Sequence, residues 1–264
     1  MSPIDWIAAL FTLLFGLAFG SFLNVCIARL PRHRSIVHPP SHCPGCKALI
    51  RSLDNIPVLS YLLLRGRCRS CGDPISWRYP AVELATALLW LTCFLHFGLT
   101  PAGVAMAILC FLTLGLAVMD AETLRLPDSF TLPGIALGLA WSVISAPEGS
   151  RLRAALFAAL WSATAAGILL AIAFSYRALR GRAGLGLGDA KLLAMFAAWL
   201  GPADTLLILF LGVVITALYG LTQLLRGRAG AATRLPLGAF LSLAALYTVF
   251  AGQPTIAWYL HFFS

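Results

Sequence analysis

Met106-Ala-Ile-Leu-Cys-Phe-Leu-Thr-Leu-Gly-Leu-Ala-Val-Met119 is a run of nearly pure hydrocarbon, and the residue that closes it is Asp120. A second carboxylate, Asp189, follows the glycine-rich stretch Gly184-Leu-Gly-Leu-Gly188 and opens another apolar run. An ionisable side chain at membrane depth costs at least about 2.5 kcal/mol, which makes each a functional candidate. Two carboxylates at one membrane face point to an aspartyl protease whose water-activating pair lies at the bilayer edge. The plainer reading of Asp189 is a helix cap in the headgroup layer. Sequence physics alone leaves both readings open.

The rest of the chain is built to match. Its 264 residues are 60% apolar and only 11% charged, with a mean hydropathy of +0.88. That charged share is about half the usual one and excludes a soluble globule. Eight apolar runs, about 4–28, 81–98, 101–119, 129–146, 154–175, 183–201, 203–225 and 235–251, are long enough to cross about 30 Å of hydrocarbon. The expected fold is therefore an all-α polytopic membrane protein of about eight transmembrane helices. A first helix spans 1–28, a small polar loop domain 29–80, and a seven-helix membrane domain 81–264. The leading Met1-Ser-Pro-Ile-Asp5 carries no positive charge and no small-residue cleavage site follows it, so the first run reads as a retained span rather than a signal peptide. In the sixth run the good helical part, Lys191 to Leu200, covers only about 15 Å. Asp189 is thus expected below the membrane surface, in irregular backbone that must be buried or line a wet cleft.

A net charge of +9 would suggest nucleic acid in a soluble protein, but its distribution argues for a membrane and against nucleic acid. Nine Lys/Arg lie in 29–80, one at Arg125, four in 177–191 and three in 226–234, whereas only Arg151 and Arg153 fall on the other side. This asymmetry of 17 to 2 puts the long loop, Asp120 and Asp189 at the cytoplasmic face of a multi-pass protein, with both termini outside. The loop arginines suit anionic lipid headgroups.

Within the loop, Cys43-Pro-Gly-Cys46 and Cys68-Arg-Ser-Cys71 are separated by 21 residues. Two such knuckles are the pattern of one tetrahedral structural Zn2+ held by Cys43, Cys46, Cys68 and Cys71, with no open coordination position. Gly45 and Gly72 are expected to ease the turns, and the metal to hold a segment with too little apolar surface for a core of its own. Two disulfides or a redox pair are the alternatives; a reducing cytoplasm disfavours the first. Cys26, Cys93 and Cys110 read as packing residues, and His42, beside Cys43, as a dispensable ligand.

The ordered series of motifs resembles the bacterial type IV prepilin peptidases. Gly16-Leu-Ala-Phe-Gly20-Ser-Phe-Leu-Asn-Val25, Arg29-Leu-Pro31, Asp54-Asn-Ile-Pro-Val-Leu-Ser-Tyr61, Arg65-Gly-Arg-Cys68 and Ile75-Ser-Trp-Arg-Tyr-Pro80 are similar to the family's beginning. Asp120-Ala-Glu-Thr-Leu-Arg-Leu-Pro-Asp128 and Gly186-Leu-Gly-Asp189-Ala-Lys-Leu192 resemble its two catalytic segments, the second being the GxGD motif. The resemblance implies an inner-membrane aspartyl endopeptidase that removes the short basic leader of type IV prepilins or type II secretion pseudopilins after a glycine. It also implies a second, transferase activity: S-adenosylmethionine-dependent methylation of the new N-terminus. Asp120 and Asp189 are then the catalytic pair, and the four cysteines the zinc ligands. Gly186 and Gly188 lack side chains, so an extended substrate backbone could approach them. Asp128 is a rival to Asp120, and Glu83 a candidate for receiving the leader. Asp73 stands where a basic or neutral residue is expected.

If Asp120 ends one helix and Asp189 begins another, helix dipoles favour Asp189 as the resting base and Asp120 as the resting acid. The first alternative is a presenilin-type intramembrane protease. It shares GxGD but is expected to carry a Tyr-Asp pair where this chain has Met119-Asp120. The second is a transporter or scaffold using paired carboxylates, which calls for inverted repeats with matching broken helices. Only one glycine-broken span is visible. No dinucleotide-type strand–glycine–helix unit surrounds Gly184, Gly186 and Gly188. Gly16-xxx-Gly20 is expected to pack against a neighbouring span of the same chain, and no oligomeric state follows from it.

Overall fold

A computed structural model describes residues 3–181, 186–228, 230 and 233–262, with Arg180 through its backbone only. Gly184 and Arg182 lie outside the described residues. Among the described residues eight α-helices follow in order: α1 Pro3–Arg29, α2 Leu59–Leu63, α3 Arg78–Phe97, α4 Pro101–Thr123, α5 Asp128–Ser145, α6 Arg151–Arg180, α7 Leu187–Leu225 and α8 Leu237–His261. Among the described residues, extended pairing is limited to two isolated bridges, His42 with Leu49 and Arg67 with Pro74. The protein is all-α, and six of these helices (α1, α3, α4, α6, α7 and α8) are long and apolar enough to cross a membrane.

α7 accounts for part of the difference from eight apolar runs. At 39 residues it would measure about 58 Å if straight, nearly twice a hydrocarbon core. It is broken at Gly201, whose φ of 77° lies in the left-handed region and is followed by Pro202. Glycine adopts that conformation without a Cβ penalty, and proline cannot continue the preceding helix. α5, with 18 residues, is the other: it carries Asp128, Ser129, Thr131 and Pro133 in its first two turns.

The chain forms two compact units, 1–111 and 112–264, whose boundary falls within α4. In the first, α1 packs along α3. Gly16 and Gly20 form the contact: a Cβ on either would come within 2.6 Å of a backbone Cα, Ala87 for the first and Glu83 for the second. The GxxxG stripe is therefore used within the chain. Asn24, buried one turn further on, donates its side-chain amide to the Tyr79 carbonyl at 3.0 Å. Phe19, Trp90 and Phe111 make tilted and edge-on ring contacts.

In the second unit the half of α7 before the break is the core. Leu192, Leu193, Met195, Phe196 and Ala197 are fully buried. Its small residues let α6 approach, where Ala165 and Leu169 meet Ala190, Leu193 and Ala197. Side-chain hydrogen bonds fix the register on two sides. Ser162 of α6 donates to the Ala194 carbonyl at 2.8 Å, and Trp199 donates to the Gly134 carbonyl of α5 at 2.8 Å.

A side chain at Gly20 has to displace α3 backbone, so Gly20→Val should destabilise the first unit by about 1–3 kcal/mol. Gly167, whose added Cβ would meet nothing within 4 Å, is the comparison. Thermal unfolding in detergent should show a lowered midpoint for Gly20→Val and none for Gly167→Ala. Equal midpoints would mean that close approach at Gly20 contributes little.

Candidate functional site

Asp120 lies in the last turn of α4, buried, yet its carboxylate faces the start of a different helix. Oδ2 accepts the Ala239 N–H at 2.8 Å, and the Gly238 N–H is a second donor. These are the first amides of α8, which lack partners within their own helix. The residue that permits this seating is Gly238, where a Cβ would stand 3.0 Å from the Asp120 carboxylate and 2.8 Å from Leu126. The sequence reading missed both donors. Their signal was present in Leu235-Pro-Leu-Gly238, a proline and a glycine at the head of an apolar run.

Asp189 belongs to the first turn of α7, which begins at Leu187, four residues earlier than the good helical part read from sequence. Its Oδ2 accepts the Gly186 N–H at 3.1 Å, while its own N–H donates to the Gly186 carbonyl at 3.2 Å. This is the N3-acid half of a capping box; Gly186, which has no side chain, closes the turn through its carbonyl. Gly186, extended and exposed, is therefore the residue before the helix. Gly188 is half-buried, and a Cβ there would stand 3.0 Å from Leu126. Leu126 also meets Gly238, beside the Asp120 carboxylate, so one side chain packs against the glycines next to both aspartates. The sequence argument for Asp189 as base placed Asp120 at a helix C-terminus. Asp120 does lie in the last turn of α4, but it also receives the first amides of α8, so both carboxylates are bonded by amides at a helix start.

Asp128 has a different setting. It is 57% exposed and pairs with Lys191 Nζ at 2.6 Å, tying the start of α5 to the first turns of α7. Lys191, given no role from sequence, is the partner of the rival aspartate. Glu83, the sequence candidate for a leader contact, is buried in α3 and accepts the Val58 N–H at 2.7 Å. It is not in the helix's first turn, where a favourable dipole would have explained it.

The four loop cysteines do come together. Their Sγ atoms all lie within 4.8 Å of one another, and Cys43 and Cys71 are 3.8 Å apart. A tetrahedral thiolate shell with metal–sulfur bonds of about 2.3 Å has edges of about 3.8 Å, so the donor set fits one metal ion. Each knuckle repeats the other's backbone. The Cys43 N–H donates to the Ala48 carbonyl and Lys47 N–H to that of Cys43; the Cys68 N–H donates to the Asp73 carbonyl and Gly72 N–H to that of Cys68. The left-handed residues are Lys47 (φ 62°) and Gly72 (φ 77°). Gly45 instead leaves room for the Asp73 carboxylate, which a Cβ would overlap. Arg69 forms a two-pronged pair with Asp54, at 2.6 to 3.0 Å, and holds the Asp54 carboxyl below the usual carboxylate range. His42 Nδ1 is 3.1 Å from the Pro40 carbonyl, outside the cysteine cluster.

Residues 14–97 match the bacterial peptidase A24 N-terminal domain, and residues 106–221 match the type IV leader peptidase family. A prepilin leader peptidase/N-methyltransferase of Burkholderia pseudomallei (strain 1026b) is 37% identical over 276 residues, 92% of this chain and 85% of its own length. Proteins of the same name from Stutzerimonas stutzeri and Pseudomonas aeruginosa are each 35% identical over 99% of both chains. No solved structure matches the chain. With two family models covering both units in order, and kinship along nearly its whole length, the chain belongs to the type IV leader peptidase family.

Proposed function

We propose that this protein is a membrane aspartyl endopeptidase that cuts the short basic leader from type IV prepilins or type II secretion pseudopilins, with Asp120 and Asp189 as its catalytic pair. The observation that carries the assignment is that both carboxylates, from α4 and α7, are held by backbone amides at a helix start, with Leu126 packed against Gly238 beside Asp120 and against Gly188 beside Asp189. Hydrolysis of an amide by such a pair needs one ionised group to take a proton from water and one protonated group to hydrogen-bond the scissile carbonyl. Two adjacent carboxylates resist ionising together, so a pair in these roles works with one proton shared between its members. The hydroxide equivalent adds to the carbonyl carbon. The leaving amine then takes a proton from the pair, which returns to its starting state. Gly186, without a side chain and exposed beside Asp189, offers the substrate backbone room.

Eight spans support the placement of this chemistry. They are α1, α3, α4, α5, α6, the two parts of α7 on either side of Gly201, and α8. The 17-to-2 charge distribution supports the reading that both aspartates and the cysteine loop face the cytoplasm at the bacterial inner membrane, with both termini outside. The cysteine cluster holds structural zinc: four thiolates complete its shell, and the metal supplies folding energy rather than a reactive water. N-methylation of the new N-terminus, with S-adenosylmethionine as donor, rests on kinship. The described residues build no strand–glycine–helix cradle for that donor, and no step is derived through it.

Asp120→Asn and Asp189→Asn should each remove cleavage of a prepilin peptide while leaving protein yield unchanged. Mass spectrometry of the products decides this, and substantial cutting by either variant removes that residue from the chemistry. Gly238→Val forces the start of α8 away from Asp120. It should lower kcat at least about tenfold, a loss of about 1.4 kcal/mol in transition-state stabilisation, with the zinc content unchanged. Elemental analysis should find one zinc per chain in the parent protein. Cys43→Ser or Cys68→Ser should lose it and open the loop to trypsin at Arg65 or Arg67; retained zinc would exclude the four-thiolate site.

A further inference from the structure

Leu59, Leu62 and Leu63 form one face of α2, and all three are exposed, the last two at 64% and 72%. Ser60, Tyr61 and Leu64 on the other face are half-buried. The apolar strip continues before the helix at Ile56 and Leu53, and Trp77 just before α3 is 74% exposed. Exposed leucine and tryptophan of this density, in the one polar segment of the chain, need an apolar neighbour.

The Glu83–Val58 hydrogen bond says at what level that neighbour lies. Glu83 is five residues into α3, about 7.5 Å along its axis from Arg78. Its carboxylate takes the N–H of Val58, the residue that begins α2. The start of α2 is thereby held beside the second turn of a membrane-crossing helix rather than beyond its end. The charge at the strip's border is of one sign. Arg65 and Arg67 follow α2 and both are exposed, whereas the acid on its other flank, Asp54, is already paired with Arg69. An apolar strip beside a span's end, bordered by arginines, is the composition of a segment lying in the membrane interface.

We propose that α2 and its flanks are an interfacial membrane anchor: Leu59, Leu62 and Leu63 enter the acyl boundary, and Arg65 and Arg67 bind the phosphates of anionic lipids. The partner is the bilayer itself.

The full-length protein in phosphatidylglycerol-containing nanodiscs tests this. A trifluoromethyl-phenylalanine is placed singly at Leu62, Leu63, Leu88 and Leu49, which leaves every cysteine in place, and 19F relaxation is read with dissolved oxygen and with a water-soluble nickel chelate. Leu88, exposed on α3, reports lipid, and Leu49, exposed on the first knuckle, reports water. Leu62 and Leu63 should lose nickel relaxation to the extent that Leu88 does and gain oxygen relaxation. Nickel relaxation equal to that at Leu49 overturns the anchor and would leave the strip for a protein partner. In nanodiscs of phosphatidylcholine alone the balance at Leu63 should shift toward nickel, and Arg65→Gln/Arg67→Gln should cause the same shift in phosphatidylglycerol. Identical readings in both lipids and in the variant overturn the headgroup pairing. Unchanged zinc content in each labelled protein shows that the loop is folded.

Discussion

A carboxylate in an apolar helix bundle needs hydrogen-bond donors, and the backbone supplies them only where a helix begins. That constraint organises the second unit. Asp120 ends α4 but is completed by α8, a helix more than a hundred residues away in sequence. Asp189 is completed by the turn that starts its own helix. The site is thus made where the ends of three helices meet, and the packing of α7 against α5, α6 and α8 exists to keep those ends in place. Leu126, in the turn after α4, fills the space that Gly188 and Gly238 leave. Gly188, one of the two glycines read from sequence as openings for substrate, thereby also serves as a contact.

The first unit obeys the same rule in a different setting. Its buried acid, Glu83, takes an amide from Val58, whose φ of 61° is a conformation that a β-branched residue adopts only under constraint. Gly20, directly against Glu83, lets α1 close on this arrangement. One acid, one glycine and one strained valine therefore join the polar loop to the helix pair beneath it. In the cysteine loop, two copies of one hydrogen-bond pattern direct four sulfurs to a point.

Much of this was legible in the sequence, because membrane helices, cysteine knuckles and intramembrane acids leave strong local marks. The apolar runs match the helices, with α7 divided at Gly201. The cysteines at spacing CxxC converge as their pattern requires, and GxxxG pairs within the chain. What escaped were relations across distance. Nothing near Lys191 or Asp128 announces their ion pair, which joins residues 63 apart. The amides of Gly238 and Ala239 carry no side-chain signature at all. Glu83 looked like a free charge because its partner is a backbone N–H in the loop. Gly72 takes the left-handed turn expected of it, but the role of Gly45 was misassigned for a related reason. Lys47 takes the left-handed position that composition alone would give to Gly45, and Gly45 is there to admit Asp73.

The half of α7 that carries Asp189 is bonded through Ser162 on one side and Trp199 on another, with small buried residues packed between. A helix held in that way positions its tip accurately and yields little. An incoming leader–pilin junction is itself helical on its apolar side, and a helical peptide bond is closed to attack. Since the enzyme's own framework is stiff, the deformation falls on the guest. A junction that unravels cheaply gains access, and glycine is the residue that lowers that cost, by about 1 kcal/mol relative to alanine. Discrimination at such a site is then a test of how easily a substrate lets go of its own helix, as much as of what its side chains touch.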